Sequence, residues 1–278
     1  MKIDSHQHFW KFNSSEYGWI EESMKILQRD FLPQDLEPAL KQQGFEGSIA
    51  VQARQSMEET QCLLQMANET PWIKGVVGWV NLCAQDIENQ LAELSQNKKL
   101  VGVRHVIHDE ADDLFMLRDD FRNGISCLGK YGLTFDLLLF PKHLKIAATL
   151  VCEFPDQLFV VDHISKPMIG RGILEPWKTD IQRIAQYPNV WCKLSGMVTE
   201  AVWDSWDQET FIPYLDVIFG AFGPNRLMIG SDWPVCLLGG SYSKITGIVS
   251  TYLEKFDSTT KSRIMGENCN VFYKPPVI

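Results

Sequence analysis

The stretch that decides the fold is Gly47-Ser48-Ile49-Ala50-Val51-Gln52-Ala53-Arg54-Gln55-Ser56-Met57-Glu58-Glu59. Its first half, Gly47–Ala53, is a short run of apolar and small residues with no strict alternation, as expected for a parallel strand covered on both faces. Its second half is a capping box. The Ser56 side chain can accept from the amide three residues on while Glu59 reaches back to the cap. Leu63, Leu64 and Ala67 then repeat at helical spacing. The whole is one strand followed by one helix.

The same unit recurs outward in both directions. Further apolar runs are Lys2–Asp4, Lys74–Asn81, Leu100–Val106, Thr134–Phe140, Phe159–Ile164, Val190–Ser195 and Arg226–Gly230. Helical patterns lie between them. Pro33 to Gln43 is closed by Gly44, in the C′ position glycine favours. Ile87, Leu91 and Leu94 form one stripe, and Ile146, Leu150 and Val151 another. Ile181, Ile184 and Ala185 form a third, and Phe211, Leu215, Ile218 and Phe222 a fourth. Eight strands alternating with helices predict an α/β chain folded as a (β/α)₈ TIM barrel. No Gly-x-Gly-x-x-Gly follows the first strand, which argues against an open doubly wound sheet. No linker-like segment interrupts the pattern, so residues 1–278 read as one domain. One interval is overlong: Phe9 to Leu32, carrying Trp10, Phe12, Tyr17 and Trp19. In a barrel it lies over the C-terminal face, as a lid or as a satellite core.

The chain has 278 residues, 45% of them hydrophobic and 22% charged, the balance of a folded globular protein rather than a disordered one. Asp plus Glu number 35 against 26 for Lys plus Arg. The net charge of −9 argues against a nucleic-acid binder or an anionic-membrane binder. The seven cysteines are odd in number and contain no Cys-x-x-Cys pair, so a disulfide scaffold or zinc ribbon is not expected. Met1-Lys2-Ile3-Asp4 lacks the apolar stretch of a signal peptide, and no apolar run approaches the roughly 20 residues of a membrane span. Location in the cytoplasm is the expectation. Homo-oligomerisation is left open.

Chemistry in a barrel sits at the C-terminal ends of the strands. Strand one runs into His6-Gln7-His8, whose two imidazoles share a face. Strand six ends in Asp162-His163, and strand eight runs into Ser231-Asp232-Trp233-Pro234. His6, His8, His163 and Asp232 together can hold one divalent cation with an open position, or hold a water directly at a general base. Lys193 lies between apolar neighbours in strand seven. It is either paired to a carboxylate such as Asp136 or used to hold a substrate oxygen. Arg104 and His105 end strand four, and alternation lets only one face the barrel axis. Arg54 after strand two and Trp79 ending strand three are further substrate-pocket candidates, with Trp10 and Trp19 from the long loop. Cys192 reads as core. No Gly-x-Ser-x-Gly elbow is present.

At these residues the sequence resembles the amidohydrolase superfamily, with His-x-His after strand one, a His after strand six and an Asp after strand eight. It looks most like the amidohydrolase-related lactonases that open sugar-acid lactones such as fuconolactone and rhamnonolactone. The resemblance is carried by Ile3-Asp4-Ser5-His6-Gln7-His8-Phe9-Trp10, Arg29-Asp30-Phe31-Leu32-Pro33, Gly102-Val103-Arg104-His105, Trp191-Cys192-Lys193-Leu194-Ser195-Gly196, Gly230-Ser231-Asp232-Trp233-Pro234 and Glu267-Asn268-Cys269-Asn270-Val271-Phe272-Tyr273. It implies a carboxylic-ester hydrolase. Asp232, with His163 and Lys193, would be catalytic, and a small sugar-acid lactone would be the partner. The binuclear members carry a strand-four Lys and a strand-five His, and this chain has neither. His143 falls at the start of the following helix. The expected cofactor is therefore one divalent ion, zinc foremost, with metal-independent hydrolysis as the alternative. The rival readings are a single-metal decarboxylase of the same superfamily and a non-catalytic barrel that binds a sugar acid.

Overall fold

The computed structural model describes residues 1–274. Eight parallel strands follow one another round a barrel in chain order: β1 Ile3–Gln7, β2 Gly47–Val51, β3 Ile73–Gly78, β4 Leu100–His105, β5 Thr134–Leu137, β6 Phe159–Val161, β7 Val190–Leu194 and β8 Leu227–Ile229. Neighbours pair in parallel from β1 through β8. The expected (β/α)₈ architecture is the observed one. Nearly every strand residue is buried, because helices cover the outside and side chains fill the inside.

The outer helices are α1 Pro33–Gln42, α2 Met57–Glu69, α3 Ile87–Leu94, α4 Asp119–Leu128, α5 Leu144–Glu153, α6 Trp177–Ile184, α7 Ile212–Phe222 and α8 Tyr242–Tyr252. Each turns its apolar stripe to the strands: Leu63, Leu64 and Ala67 on α2, Ile87, Leu91 and Leu94 on α3, Leu215, Ile218 and Phe222 on α7. The capping box forms only by half. Ser56 Oγ accepts from the Glu59 amide at 3.1 Å. The Glu59 carboxylate turns instead to the amides of Ala53 and Arg54, both at 2.9 Å, and accepts from Tyr17 Oη. It ties the β2–α2 loop to the segment after β1.

Two apolar cores result. The larger lies between strands and helices and includes Cys192. The smaller fills the lower barrel with Ile49, Val51, Val77, Val160 and Met228, closed from below by Cys269, Phe272 and Tyr273 of a last short helix, Asn268–Tyr273. The Tyr273 hydroxyl donates upward to Asp136, where the interior becomes charged.

The ladder does not continue regularly from β8 to β1. The seam is joined beyond the strand ends by His8 N–H to the Trp233 carbonyl at 2.6 Å and Asp232 N–H to the His6 carbonyl at 2.8 Å. Strands five and six are shorter than the apolar runs suggest; β6 ends at Val161, and after Asp162 the backbone turns left-handed at His163. The Phe9–Leu32 excursion is pinned at its base by paired amide–carbonyl bonds between Trp10 and Phe31, both 2.9 Å. All seven cysteines are free thiols. Among the described residues no helix is long and apolar enough to cross a membrane.

Candidate active site

Three imidazoles point their Nε2 atoms at one carboxylate oxygen. Asp232 Oδ1 lies 3.2 Å from His8 Nε2, 3.7 Å from His163 Nε2 and 3.8 Å from His6 Nε2. Each ring is oriented through its other nitrogen. His8 Nδ1 donates to the Val51 carbonyl at 2.8 Å, and His163 Nδ1 meets Ser195 Oγ at 2.9 Å. His6 Nδ1 lies 3.1 Å from Lys193 Nζ and 3.3 Å from Asp162 Oδ1. Such outer partners set the tautomer and angle of a ligating or proton-transferring imidazole. Burial holds the His6 and His163 rings well below the usual imidazole value, so both are neutral near pH 7. At Asp232 burial acts upward, but the nearby His163 and His8 outweigh it and keep the carboxyl below its usual value.

The backbone at this point is strained. Asp232 has φ 60°, and His163, Ile164, Ser165 and Lys166 run consecutively at 53°, 47°, 60° and 48°. A β-branched residue such as Ile164 rarely adopts this region, and each such residue costs on the order of 1–3 kcal/mol. The turn is held by Lys166 N–H to the His163 carbonyl, 2.8 Å, and by Trp177 Nε1–H to the Ile164 carbonyl, 2.7 Å. It lifts His163 off the end of β6 toward Asp232. Gly196 makes room for the ring, since a Cβ there would stand 2.4 Å from His163 Nδ1.

Beneath the imidazoles lies a buried charge network. Lys193 Nζ is 2.5 Å from Asp136 Oδ2 and 3.0 Å from Asp162 Oδ1. Arg104 donates from Nη1 to Asp162 Oδ2 at 3.1 Å and from Nη2 to Gln52 Oε1 at 3.1 Å. The two carboxylates outweigh the burial of Lys193 and hold its ammonium protonated. Burial raises Asp136 to about 6 against the pull of Lys193.

Above Asp232 opens a cavity of about 480 Å³. His8, His163 and Asp232 line it, as do the basic side chains of Arg54, Arg104 and Lys166. Trp19, Val106, Leu138 and Val235 add apolar wall. The volume is that of a small-molecule pocket.

The structure therefore brings together His6, His8, His163 and Asp232, with Arg104, Arg54 and Trp19 around the cavity. It separates the rest. Lys193 is fully buried among Asp136, Asp162 and His6 and is not among the residues that line the cavity above Asp232. Of the strand-four pair, Arg104 faces the axis. His105 points outward, bonded to Glu110 at 2.6 Å and stacked on Phe115. Trp79 follows it outward, its Nε1 3.4 Å from His105 Nδ1. Trp10 is buried against Tyr17, Trp19 and Phe31, with its Nε1–H on the Arg29 carbonyl. It packs the core of the long loop and borders a neighbouring cavity with Tyr17 and Glu59, not the one above Asp232. Asp162, Lys166 and His108 belong to the site or its support and were not among the sequence candidates. Asp162 and Lys166 flank His163 in the chain, which was the available signal.

The donor set fits one divalent cation. His6, His8 and Asp232 offer ligand atoms within 4.8 Å of one another, and the second group, His6, Asp162 and His163, shares His6 with it. Asp162 is already committed to Arg104 and Lys193, which leaves one site rather than two.

The chain is 37% identical to an L-fucono-1,5-lactonase of Burkholderia multivorans over 99% of its length and 97% of that protein. It is 34% identical to an L-fucono-1,5-lactonase of Burkholderia ambifaria, covering 98% and 95%. A crystal structure of a Burkholderia multivorans amidohydrolase with bound zinc superposes at a TM-score of 0.96 with 37% identity, covering 99% of this chain and all of that one. A crystal structure of a Pseudomonas putida protein shares the fold at a TM-score of 0.79 with 18% identity, covering all of this chain and 98% of that one. The family model described as amidohydrolase matches residues 3–274, so the His-x-His, His163 and Asp232 cluster stands inside a match that spans the barrel, and the chain belongs to the amidohydrolase family.

Proposed function

We propose that this protein hydrolyses the ring ester of a sugar-acid lactone of the L-fuconolactone kind. The observation that carries the reading is the convergence of three imidazole Nε2 atoms on Asp232 Oδ1 at the floor of a pocket-sized cavity. The near full-length likeness to two L-fucono-1,5-lactonases supports the substrate class.

Asp232 accepts a proton from a water as the water oxygen attacks the lactone carbonyl carbon. General-base help of this kind contributes roughly 10²–10⁴-fold. The developing oxyanion faces the fixed positive charge of the Arg104 guanidinium, which Asp162 and Gln52 hold at the cavity wall and which needs no reorganisation during the step. The carbon to ring-oxygen bond then breaks, and the proton held on Asp232 passes to the leaving alkoxide. The new carboxylic acid releases its proton to solvent. Arg54 and Lys166 hold hydroxyl and carboxylate oxygens, while Trp19, Val106, Leu138 and Val235 cover the apolar side of the ring. His6, His8, His163 and Asp232 would hold a divalent ion, zinc foremost. Such an ion, when bound, supplies Lewis-acid polarisation of the carbonyl and a more acidic water.

A screen of aldonolactones, read by acid release and run beside elemental analysis of the purified protein, tests the reading. Turnover of L-fuconolactone or a related aldonolactone is expected. Carbon dioxide release from a benzoate-like acid, without lactone turnover, would replace it with the decarboxylase.

A further inference from the structure

Among the described residues β8 and β1 are joined by no strand ladder, only by an isolated bridge, and this seam is where Asp232 stands. Besides the backbone bonds of His8 and Asp232, a side chain crosses the seam. Asp4, fully buried in β1, accepts from four donors. Its Oδ1 takes Ser231 N–H at 2.8 Å and His6 N–H at 3.2 Å. Its Oδ2 takes Ser231 Oγ–H at 2.6 Å and Tyr242 Oη–H at 3.0 Å. Ser231 Oγ in turn accepts from Trp233 N–H at 3.0 Å. The residues on both sides of Asp232 are thereby tied to β1, and Asp232 itself is tied by its amide to the His6 carbonyl.

We propose that Asp4 is a positioning residue for catalysis: its carboxylate reinforces the short β8–β1 seam at Ser231, beside the two backbone bonds of His8 and Asp232, and holds Asp232 and His6 in register. The inference rests on the reading of Asp232 as the water-activating base. Three features carry it. Every lone-pair direction of the carboxylate is used on the two elements that bear His6 and Asp232, or on Tyr242 packed beside them. No side-chain cation lies among its hydrogen-bond partners, so the donors themselves stabilise the buried charge. The left-handed φ of 60° at Asp232 is a conformation that persists only where its surroundings over-determine it, and the Asp4 bonds on Ser231 help supply that constraint. A carboxylate accepts at all four points, whereas an asparagine would present an N–H to a donor and lose at least one.

The test compares Asp4→Asn with Asp232→Asn and their double variant, using aldonolactone turnover, thermal unfolding and a crystal structure of Asp4→Asn. A displacement of about 1 Å at the base costs on the order of 10²-fold. Asp4→Asn is expected to fold, to lose kcat by about that factor, and to leave KM within about threefold. In the crystal the Asp232 carboxylate should leave its contact with His8. In the Asp232→Asn background the Asp4 change should have little further effect on kcat. Should Asp4→Asn not fold, Ser231→Ala and Tyr242→Phe each remove one bond to Asp4 and should lower kcat several-fold. A lowered melting temperature with unchanged kcat and an undisplaced Asp232 would overturn the proposal. Full activity of Asp232→Asn would instead overturn the assignment of the base.

Discussion

His163 Nε2 stands 3.7 Å from Asp232 Oδ1, and both residues sit in left-handed backbone, at φ 53° and 60°. The two follow β6 and β8, strands separated in the barrel by β7. The chain accepts strain at both ends of this contact. The strain buys a base and an imidazole already in place before substrate arrives, the condition under which electrostatic help needs no reorganisation.

Asp232→Asn should therefore lose turnover and keep the fold. Asparagine preserves shape and removes the proton acceptor. A fall in kcat of about 10²–10⁴-fold is expected, with an unchanged melting profile. Steady-state kinetics on an aldonolactone checks it, and near-normal kcat would contradict the role.

The two loop tryptophans should separate. Trp19 lines the cavity, whereas Trp10 is packed inside the loop. Trp19→Ala should lower kcat/KM for a sugar lactone about tenfold and that for an unsubstituted δ-lactone less, because the small ring lacks the contact. Trp10→Ala should cost about 3–5 kcal/mol of stability as a buried large-to-small change. Equal losses on both lactones for Trp19→Ala would make it packing only.

Lys193→Met should act on stability. It leaves Asp136 and Asp162 buried without their ammonium, a loss of about 3–5 kcal/mol for a broken buried pair. Urea unfolding at pH 7 measures it. A variant of normal stability with a raised KM would return Lys193 to the substrate pocket.

Glu59 should give stability a pH dependence. Burial raises its carboxyl from the usual 4.5 to about 7, against hydrogen bonds from Arg54 and Ala53 amides. The folded chain holds this proton where the unfolded chain releases it. Its contribution is thus present below about 4.5 and declines as pH rises to about 7, by on the order of 3 kcal/mol. The stability gap between the protein and Glu59→Gln should shrink from pH 5 to pH 8 in urea unfolding. A constant gap would show that Glu59 does not titrate in this range.

Metal loading should saturate at one ion per chain. Zinc titration followed by dialysis and elemental analysis should find about one tightly held equivalent, reduced in His8→Ala, because the two candidate donor groups share His6. Two tightly held ions would contradict this.

The fold was legible because its signals are local. Gly47–Ala53 followed by Ser56 and Leu63, Leu64 and Ala67 states a strand and a helix within one short segment, and across the chain eight such runs alternate with six legible helical patterns. The His6, His8, His163 and Asp232 set was legible because in a barrel every strand points its C-terminal end to one face, so residues remote in sequence share a site without any knowledge of their contacts. Orientation was not legible in the same way. Whether Arg104 or His105 faces the axis, and whether Trp10 or Trp19 meets the cavity, depends on register shifts and loop packing contributed by other elements. The partners of Lys193 and the four donors on Asp4 come from β1, β5, the segments just after β6 and β8, and α8. Sequence by itself determined the architecture, the family and the set of groups able to do chemistry, since periodicity and residue type are properties of the chain. Only tertiary structure decided which of those groups meet and which are buried as supports. Hydrogen bonds and ion pairs act over about 3 Å of space, irrespective of separation along the chain.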